Sequence, residues 1–560
     1  MMRLILFILL FLQCSYIIGQ ESRFSIEGYG RGINQSLHLN EKDSLNNDID
    51  FESNVIVDLG IRANLNEKVN FYSQIRMKSN LALFDTSRSN IFIRQFKLYG
   101  DLNDIFYYEI GDVDLVLDGY TLWNNKEKGL VNESEVFSLY RRIQHYENFQ
   151  NENFWRQKGV KFIFNKLNEK KLKIFFELFG SRLNKSDEFT NPDIFLVGLK
   201  SSLSKDNQKF EINSANIFSN TNTLVNSNLS NEYNRTITAS YSRLFGKFSG
   251  TLIGGYSEIY DSDNNFDISG DFFEFIGKYN LFANNFISVS YRSVADDFIS
   301  LGSQNSNINY GNSPSYFQQV TNSSISRNIS LYDILTDFSN SNIFNLRLNS
   351  NRLIESARLG TSVPFGKATP NRKGFNLIFD YSDKLQKIDY LLDISLLNDL
   401  TGEGVLEKKQ YFDIDNSLSL NINKFYSGKK ELRTTFGMRY SLANRASSNP
   451  YLDEVSLTST LIDLGFTYNL IKNIDILYGY KNLYAKGTDY LPIYNNYYTI
   501  ENYDKANFNY DESIQALGLK YNVNKGFYLI FSANQVKVDD KIINLKYDFN
   551  QYLLILNINF

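Results

Sequence analysis

From Phe24 onward, apolar and polar positions alternate with a period of two over stretches of roughly ten to fifteen residues, the pattern of strands with one apolar and one wet face. Val55, Val57, Leu59, Ile61 and Ala63 alternate with Asn54, Asp58, Gly60 and Arg62. Ile388, Tyr390, Leu392, Ile394 and Leu396 alternate with Asp389, Asp393 and Ser395. Phe412, Ile414, Leu418, Leu420 and Ile422 oppose Asp413, Asp415, Ser417, Ser419 and Asn421, and Leu432, Thr434, Phe436, Met438 and Tyr440 oppose Arg433, Thr435, Gly437 and Arg439. Strands of soluble sandwiches usually run about five or six residues, whereas crossing a bilayer takes about nine to eleven tilted ones. The length of the alternation therefore favours the membrane.

The connections take turns between two kinds. Short polar turns occur at 65–68, 101–104, 166–170, 204–208, 245–247, 281–285, 382–387, 424–429, 471–473 and 522–526. Longer segments rich in Asn, Ser and Asp fall between them, at 35–50, 114–154, 218–232, 298–328, 352–373, 444–454 and 486–508. This pattern predicts an all-β fold, a closed antiparallel transmembrane β-barrel with short periplasmic turns and long extracellular loops. Lipid offers no hydrogen bonds, so the backbone in the apolar layer must pair completely, and a closed sheet does so without an edge. With a weaker eleventh turn near Ser339 to Asn342, the expected count is about 24 strands, within 22–26, and even in parity. Segment 298–373 is the irregular part.

Composition agrees. The 560 residues hold 6 Pro, against roughly 28 at average usage, and a continuous sheet has little room for a residue lacking its N–H. There are 45 Phe and 38 Tyr but only 2 Trp, 4 Met and 2 His, so Tyr and Phe are expected to form the two interfacial girdles. The mean hydropathy of −0.33 excludes a polytopic helical membrane protein. A formal net charge of −4, with both signs spread along the chain, argues against nucleic acid as a partner. At the N-terminus, Arg3, the apolar run Leu4 to Leu12 and Ile17-Ile18-Gly19 before Gln20 read as a signal peptide over 1–19, leaving 20–560 as one exported barrel domain. The single Cys, Cys14, follows Gln13 where a lipidated cysteine is normally preceded by a small residue.

The final run places Tyr552, Leu554, Leu556, Ile558 and Phe560 on one face and Leu553, Ile555, Asn557 and Asn559 on the other, ending on an aromatic. It resembles the C-terminal signal strand of Gram-negative outer-membrane β-barrel proteins. The texture rich in Asn, Lys, Ile, Tyr and Phe is similar to barrels of the Bacteroidota. The resemblance implies a porin-like protein of the cell outer membrane, in contact with outer-membrane lipid and recognised by the barrel-assembly machinery through this strand. A TonB-dependent transporter fits badly, because strands begin almost directly after Gln20 with no room for a plug.

The polar faces are expected to line the lumen. The basic set is Arg62, Lys161, Lys173, Arg292, Arg347, Arg433, Arg439, Lys481 and Lys520; the acidic set is Asp58, Glu109, Glu177, Asp380, Asp389, Asp393, Asp413, Asp415 and Asp475. The two sets balance, which points away from a strongly anion-selective pore. Ion pairs that hold strands in register, such as Asp413 and Asp415 opposite Arg433 and Arg439, are favoured over a substrate ladder. Connection 114–154 carries Glu133, Glu135, Arg141, Arg142 and His145, a mixed-charge set suited to a constriction loop folded into the barrel; an ordinary loop across the mouth is the other reading. Stretch Val136 to Ile143 is read as a short helix or strand.

No cofactor is expected, and no metal-ligand spacing, phosphate loop or Rossmann pattern occurs. His38 and His145 are the only histidines, and a salt-bridge role for His145 beside Arg142 and Glu147 outweighs general-base work, so no enzyme is expected. The expected function is a porin-like channel for diffusion of polar, roughly neutral solutes such as oligosaccharides or peptides. The alternative is a non-conducting barrel that serves an envelope protein partner as scaffold in secretion or assembly. Gly28, Gly30 and Gly32 in the first strand are expected to relieve crowding where the sheet closes.

Overall fold

The structure is a computed structural model that describes the chain from Phe24 to Phe560. It omits 305–361, the shorter stretches 40–48, 81–88, 126–131, 150–151, 168–171, 188–191, 224–231, 262–265, 283–284, 364–365, 403–404 and 495–499, and single positions at 67, 104, 427, 429 and 543. The expected signal peptide and Arg347 lie outside the described residues. Among the described residues, twenty-two strands form one antiparallel sheet.

The first are β1 (Phe24–Leu39), β2 (Ile49–Asn66), β3 (Val69–Asn80), β4 (Ser89–Asn103), β5 (Phe106–Leu115), β6 (Trp155–Leu167), β7 (Leu172–Asn184) and β8 (Asp193–Lys205). Then follow β9 (Gln208–Asn220), β10 (Glu232–Phe245), β11 (Phe248–Asp261), β12 (Phe266–Phe282), β13 (Asn285–Val294), β14 (Arg372–Ser382) and β15 (Ile388–Asn398). The last are β16 (Gln410–Asn421), β17 (Leu432–Arg445), β18 (Val455–Ile471), β19 (Ile474–Tyr494), β20 (Ile500–Asn522), β21 (Phe527–Asp540) and β22 (Leu545–Asn559). Each pairs with its sequence neighbours, and β1 pairs with β22 from Tyr29↔Asn559 to Leu39↔Phe549, which closes the barrel.

The count among the described residues is therefore 22, within the expected 22–26. The eleventh short turn near Ser339 to Asn342 lies outside the described residues, and β13 pairs directly with β14, from Phe286↔Asp380 to Val294↔Arg372, so the wall is complete without it. Connections after even-numbered strands are mostly short and gather at one rim; those after odd-numbered strands, several of them long, gather at the other. The segment 486–508 is a correction: β19 and β20 run through most of it, paired from Ile474↔Tyr521 to Tyr494↔Ile500.

The outer wall is apolar, with Phe176, Leu178, Leu252, Phe275, Leu464, Leu517 and Phe531 exposed along the strands. Exposed Phe245, Phe248, Tyr279, Phe282 and Tyr521 ring the short-turn rim, while Tyr256, Tyr260, Phe375 and Tyr484 stand toward the other. In water such a surface would drive aggregation; in a bilayer it is the solvated face, with aromatics at the two interfaces.

At the closing seam Phe560 and Gly28 exchange backbone hydrogen bonds of 2.7 and 3.0 Å. Of the three outward glycines of β1, Gly28 alone needs to lack a side chain: a Cβ there would lie 2.1 Å from the Phe560 ring, whereas Gly30 and Gly32 would make ordinary contacts. Gly28→Val is expected to displace that ring and destabilise the barrel by ~1–3 kcal/mol, as overpacking typically does. Heat-modifiable electrophoretic migration measures it; a variant as heat-resistant as the native barrel would contradict this role for Gly28.

Candidate functional site

The connection between β5 and β6 does not cap the barrel but crosses its interior. Residues 115–125 fold inward first. Tyr120 stacks on Phe272 of β12 with ring centroids 3.7 Å apart, and burial raises its phenol pKa. Asp118 accepts bonds from the backbone N–H groups of Tyr120 and Thr121 at 2.8 and 3.0 Å and ties Asn213 at 2.8 Å. Asn132 then reaches β15 and β16, its N–H donating to Ser417 Oγ at 2.8 Å. Helix α1, Glu135–Asn148, follows and runs along the wall from β18 and β19 to β2–β4.

The start of α1 rests on a dent in β18 and β19. Gly465 and Gly479 pair directly across these strands, and Cβ atoms on them would fall 2.4 Å from Ser134 Cβ and 2.5 Å from Val136 Cγ1. Val136, Phe137, Leu139 and Ile143, on one helical face, are buried in one cluster with Leu461, Leu477, Ile514, Ile530, Leu553 and Ile555. These wall residues face the lumen, so the expectation of a uniformly polar interior needs correction: the lumen face of β18–β22 is apolar where it receives the helix.

Buried charges tie both ends. Near the start, Lys481 Nζ of β19 bonds Glu133 and lies 3.2 Å from Asp463 of β18, with all three side chains almost fully buried. At the far end, Tyr146 Oη donates to Asp58 Oδ2 of β2 at 2.6 Å. Arg76 of β3 holds the same carboxylate through two 2.7 Å bonds, a bidentate geometry that adds strength and direction. Arg94 of β4 donates to the Tyr146 carbonyl oxygen and to Gln74 Oε1, and its guanidinium covers the Tyr146 and Phe149 rings at 4.2 and 3.9 Å. Burial raises the Tyr146 phenol, so it stays a neutral donor to Asp58.

Of the residues expected in a constriction, Glu133 is buried against Lys481, and Glu135 is shared by Arg142 at 3.0 Å and Lys520 of β20 at 3.5 Å. Arg141 and His145 belong to α1, but their side chains lie outside the described residues. His38 stands on β1 with its ring edge-on to Tyr552 of β22 at 5.9 Å. Sequence reasoning missed Asp463, Arg76 and Arg94. The register of β3 and β4 slips at Gln74/Ile75, and this bulge turns Arg94 inward while Ile91 and Ile93 stay exposed outside.

The expected lumen charges divide. Asp415 does face Arg439 across β16 and β17, but Asp413 faces Ser441 and Arg433 faces Asn421. Asp413 instead bonds the backbone N–H of Ser362 at 2.9 Å, fastening Ser362 inside the barrel. Asp393 sits opposite Asp415 and accepts a bond from Asn376, and Asp389 accepts one from Ser382. A second group alternates in sign around the wall near the short-turn rim. Glu109 of β5 lies 2.7 Å from Lys97 and 2.9 Å from Lys161, Glu177 faces Lys200 in register, and Glu211 lies 3.4 Å from Lys200 and 2.5 Å from Lys209.

A closed edge-free sheet, apolar outside and lined by ion pairs over much of its inside, defines a membrane-spanning β-barrel. No family model matches the chain, and no curated protein does either. Among solved structures it is similar to OccAB4 of Acinetobacter baumannii, at 9% identity over 97% of this chain and 100% of that one, with a TM-score of 0.34. It is also similar to OpdQ of Pseudomonas aeruginosa, at 9% over 96% and 97% with 0.33, and to the translocation pore of the P pilus usher PapC, at 7% over 96% and 99% with 0.36. Likeness this loose adds nothing to what the strand pairing already establishes.

Proposed function

We propose that the protein is a diffusion channel for polar, roughly neutral solutes whose lumen is narrowed by α1. The observation that carries the reading is the β5–β6 connection lying across the lumen, seated on an apolar berth and tied by buried charges at both ends. Barrels of this size leave an aqueous or plugged interior, and a segment fixed inside sets the free bore. Glu135 and Arg142 line it, and Arg141 and His145 extend the same helix. Charges of both signs alternate from Lys97 to Glu211, which favours neither cations nor anions strongly. The short turns are assigned to the periplasm and the long loops to the exterior, and Tyr552, Leu554, Leu556, Ile558 and Phe560 to recognition by the assembly machinery.

Planar-bilayer recording of the purified protein is expected to give steady open-channel current with little preference between potassium and chloride. A stably inserted barrel that never conducts would overturn the channel. It would favour a scaffold for an envelope partner, a reading supported by the inward folding of 115–125, 295–304 and 366–371. There Trp123 N–H donates to the Gly302 carbonyl at 3.0 Å, and Lys367 bonds Glu274 at 2.9 Å.

A further inference from the structure

Beneath α1, at the short-turn rim, a cavity of about 750 Å³ opens between the helix and the wall made by β1 and β20–β22. Its volume is within the ~300–1,000 Å³ typical of small-molecule sites. Its lining has three kinds of group. Cations come from Arg142 on the helix, Lys520 on β20 and Lys525 in the turn that follows. Aromatic rings come from Tyr29, Tyr146 and Tyr528; Tyr29 and Tyr146 lie against each other, tilted at 40° with centroids 4.3 Å apart, and Arg94 covers Tyr146, which leaves Tyr528 as the ring for a ligand. Amides come from asparagines, among them Asn557 and Asn559 on the last strand.

Two carboxylates border the cavity, and both are engaged. Glu135 Oε1 serves Arg142 and Lys520 together, at 3.0 and 3.5 Å. Asp475, paired in register with Lys520, accepts the side-chain amides of Asn469 and Asn522, each at 2.7 Å. Neither carboxylate belongs to the described lining, which carries Lys525 as a further cation. The described lining thus offers three cations, tyrosine rings and amides, and no carboxylate side chain.

We infer that this cavity is a binding site for a hydroxylated monoanion, a sugar acid of the uronate class. Its carboxylate meets Lys525 and the shared Arg142–Lys520 pair, its ring lies on a tyrosine face, and its hydroxyls exchange hydrogen bonds with the asparagine amides. A carboxylate gains from charge-assisted bonds that a neutral sugar cannot make. The apolar face of a sugar ring packs on the aromatic body of tyrosine, whose hydroxyl remains a polar handle. Its place at the mouth of a conducting bore rests on the channel reading; binding does not.

The test uses the full-length barrel in detergent, with D-galacturonate, D-galactose and acetate as probes in calorimetric titrations. Galacturonate is expected to bind about tenfold or more tighter than either galactose or acetate, a difference of about 1.4 kcal/mol. Lys525→Gln, in an exposed turn, is expected to weaken galacturonate severalfold, and Lys520→Gln with it to abolish the preference over galactose. Unchanged heat-modifiable migration of both variants shows that folding is intact. Absence of galacturonate binding, acetate binding as tight as galacturonate, or equal affinity in the double variant would each overturn the site. Binding in a barrel that passes no current would overturn the channel and leave the site standing.

Discussion

A Lys481→Met barrel is expected to show longer and more frequent open episodes than the native protein at neutral pH, and to lose that difference in acid. Lys481 lies between Glu133 on the inserted connection and Asp463 on β18, and all three side chains are buried. Removing one partner of a buried ion pair typically costs ~3–5 kcal/mol, because the remaining charge has neither water nor counter-ion. Here two carboxylates would be left facing each other. The helix does not depend on them alone: Val136, Phe137, Leu139 and Ile143 are buried against the wall. At ~1.5–3 kcal/mol for each fully buried side chain, that apolar seat contributes on the order of 6–12 kcal/mol as an upper bound. The apolar term is the larger, so the helix loosens rather than leaves, and the change is read in open time more than in full conductance. In acid one carboxylate takes up a proton and can hydrogen-bond the other, which removes the repulsion. Single-channel records that match the native protein at both pH values would show that the Lys481 cluster does not hold the helix.

The wall was legible because its pattern is local. A period of two needs only neighbouring residues to be visible, and strands such as β15–β17 face as their alternation says. The count came out at the lower end of its 22–26 range because its central value relied on a turn assigned inside a long polar segment, where alternation is absent and nothing in the local sequence marks a crossing. The 486–508 segment was lost for a related reason. Polar residues there, such as Asp489, Asn502, Asp504 and Lys505, read as loop, yet β19 and β20 pair through them. Polar composition marks exposure to water, not the end of a hydrogen-bonded ladder.

The interior was legible only in part. Charges on single strands could be assigned to the lumen, but their partners are set by register, and one slip moves a pair out of reach. Asp415 meets Arg439, whereas Asp413 serves a segment far away in sequence. The inward apolar set was hidden because Leu553, Ile555 and Ile514 look like ordinary lipid-facing residues until a helix is found to cover them. One signal was available: Val136, Leu139 and Ile143 recur at helical spacing beside Glu135 and Arg142, the mark of an amphipathic helix that needs an apolar surface to rest on. Inside a barrel, that surface has to be the lumen wall.

The same geometry makes a second substitution test the helix without touching a charge. Gly479→Leu is expected to raise conductance severalfold, at neutral and acid pH alike, while leaving the barrel's resistance to heat nearly unchanged. A Cβ at 479 would lie 2.5 Å from Val136 Cγ1, 2.8 Å from the Phe137 ring and 2.9 Å from Ser134 Oγ, and leucine carries three more carbons into that space. Adding even a methylene or two to a packed site costs ~1–3 kcal/mol, and a whole isobutyl group cannot be absorbed by rotamer changes alone. One side of the contact must move. β19 is laddered to β20 along its whole length and to β18 as far as Thr488, whereas the start of α1 is held by side chains and the Lys481 cluster. The helix therefore yields, the seat of Val136 and Phe137 is lost, and the bore widens. The absence of a pH dependence separates this steric release from the ionic one in Lys481→Met. Native conductance in a folded Gly479→Leu barrel would mean that the helix is not what narrows the lumen, and the channel's constriction would have to be sought among 115–125, 295–304 and 366–371.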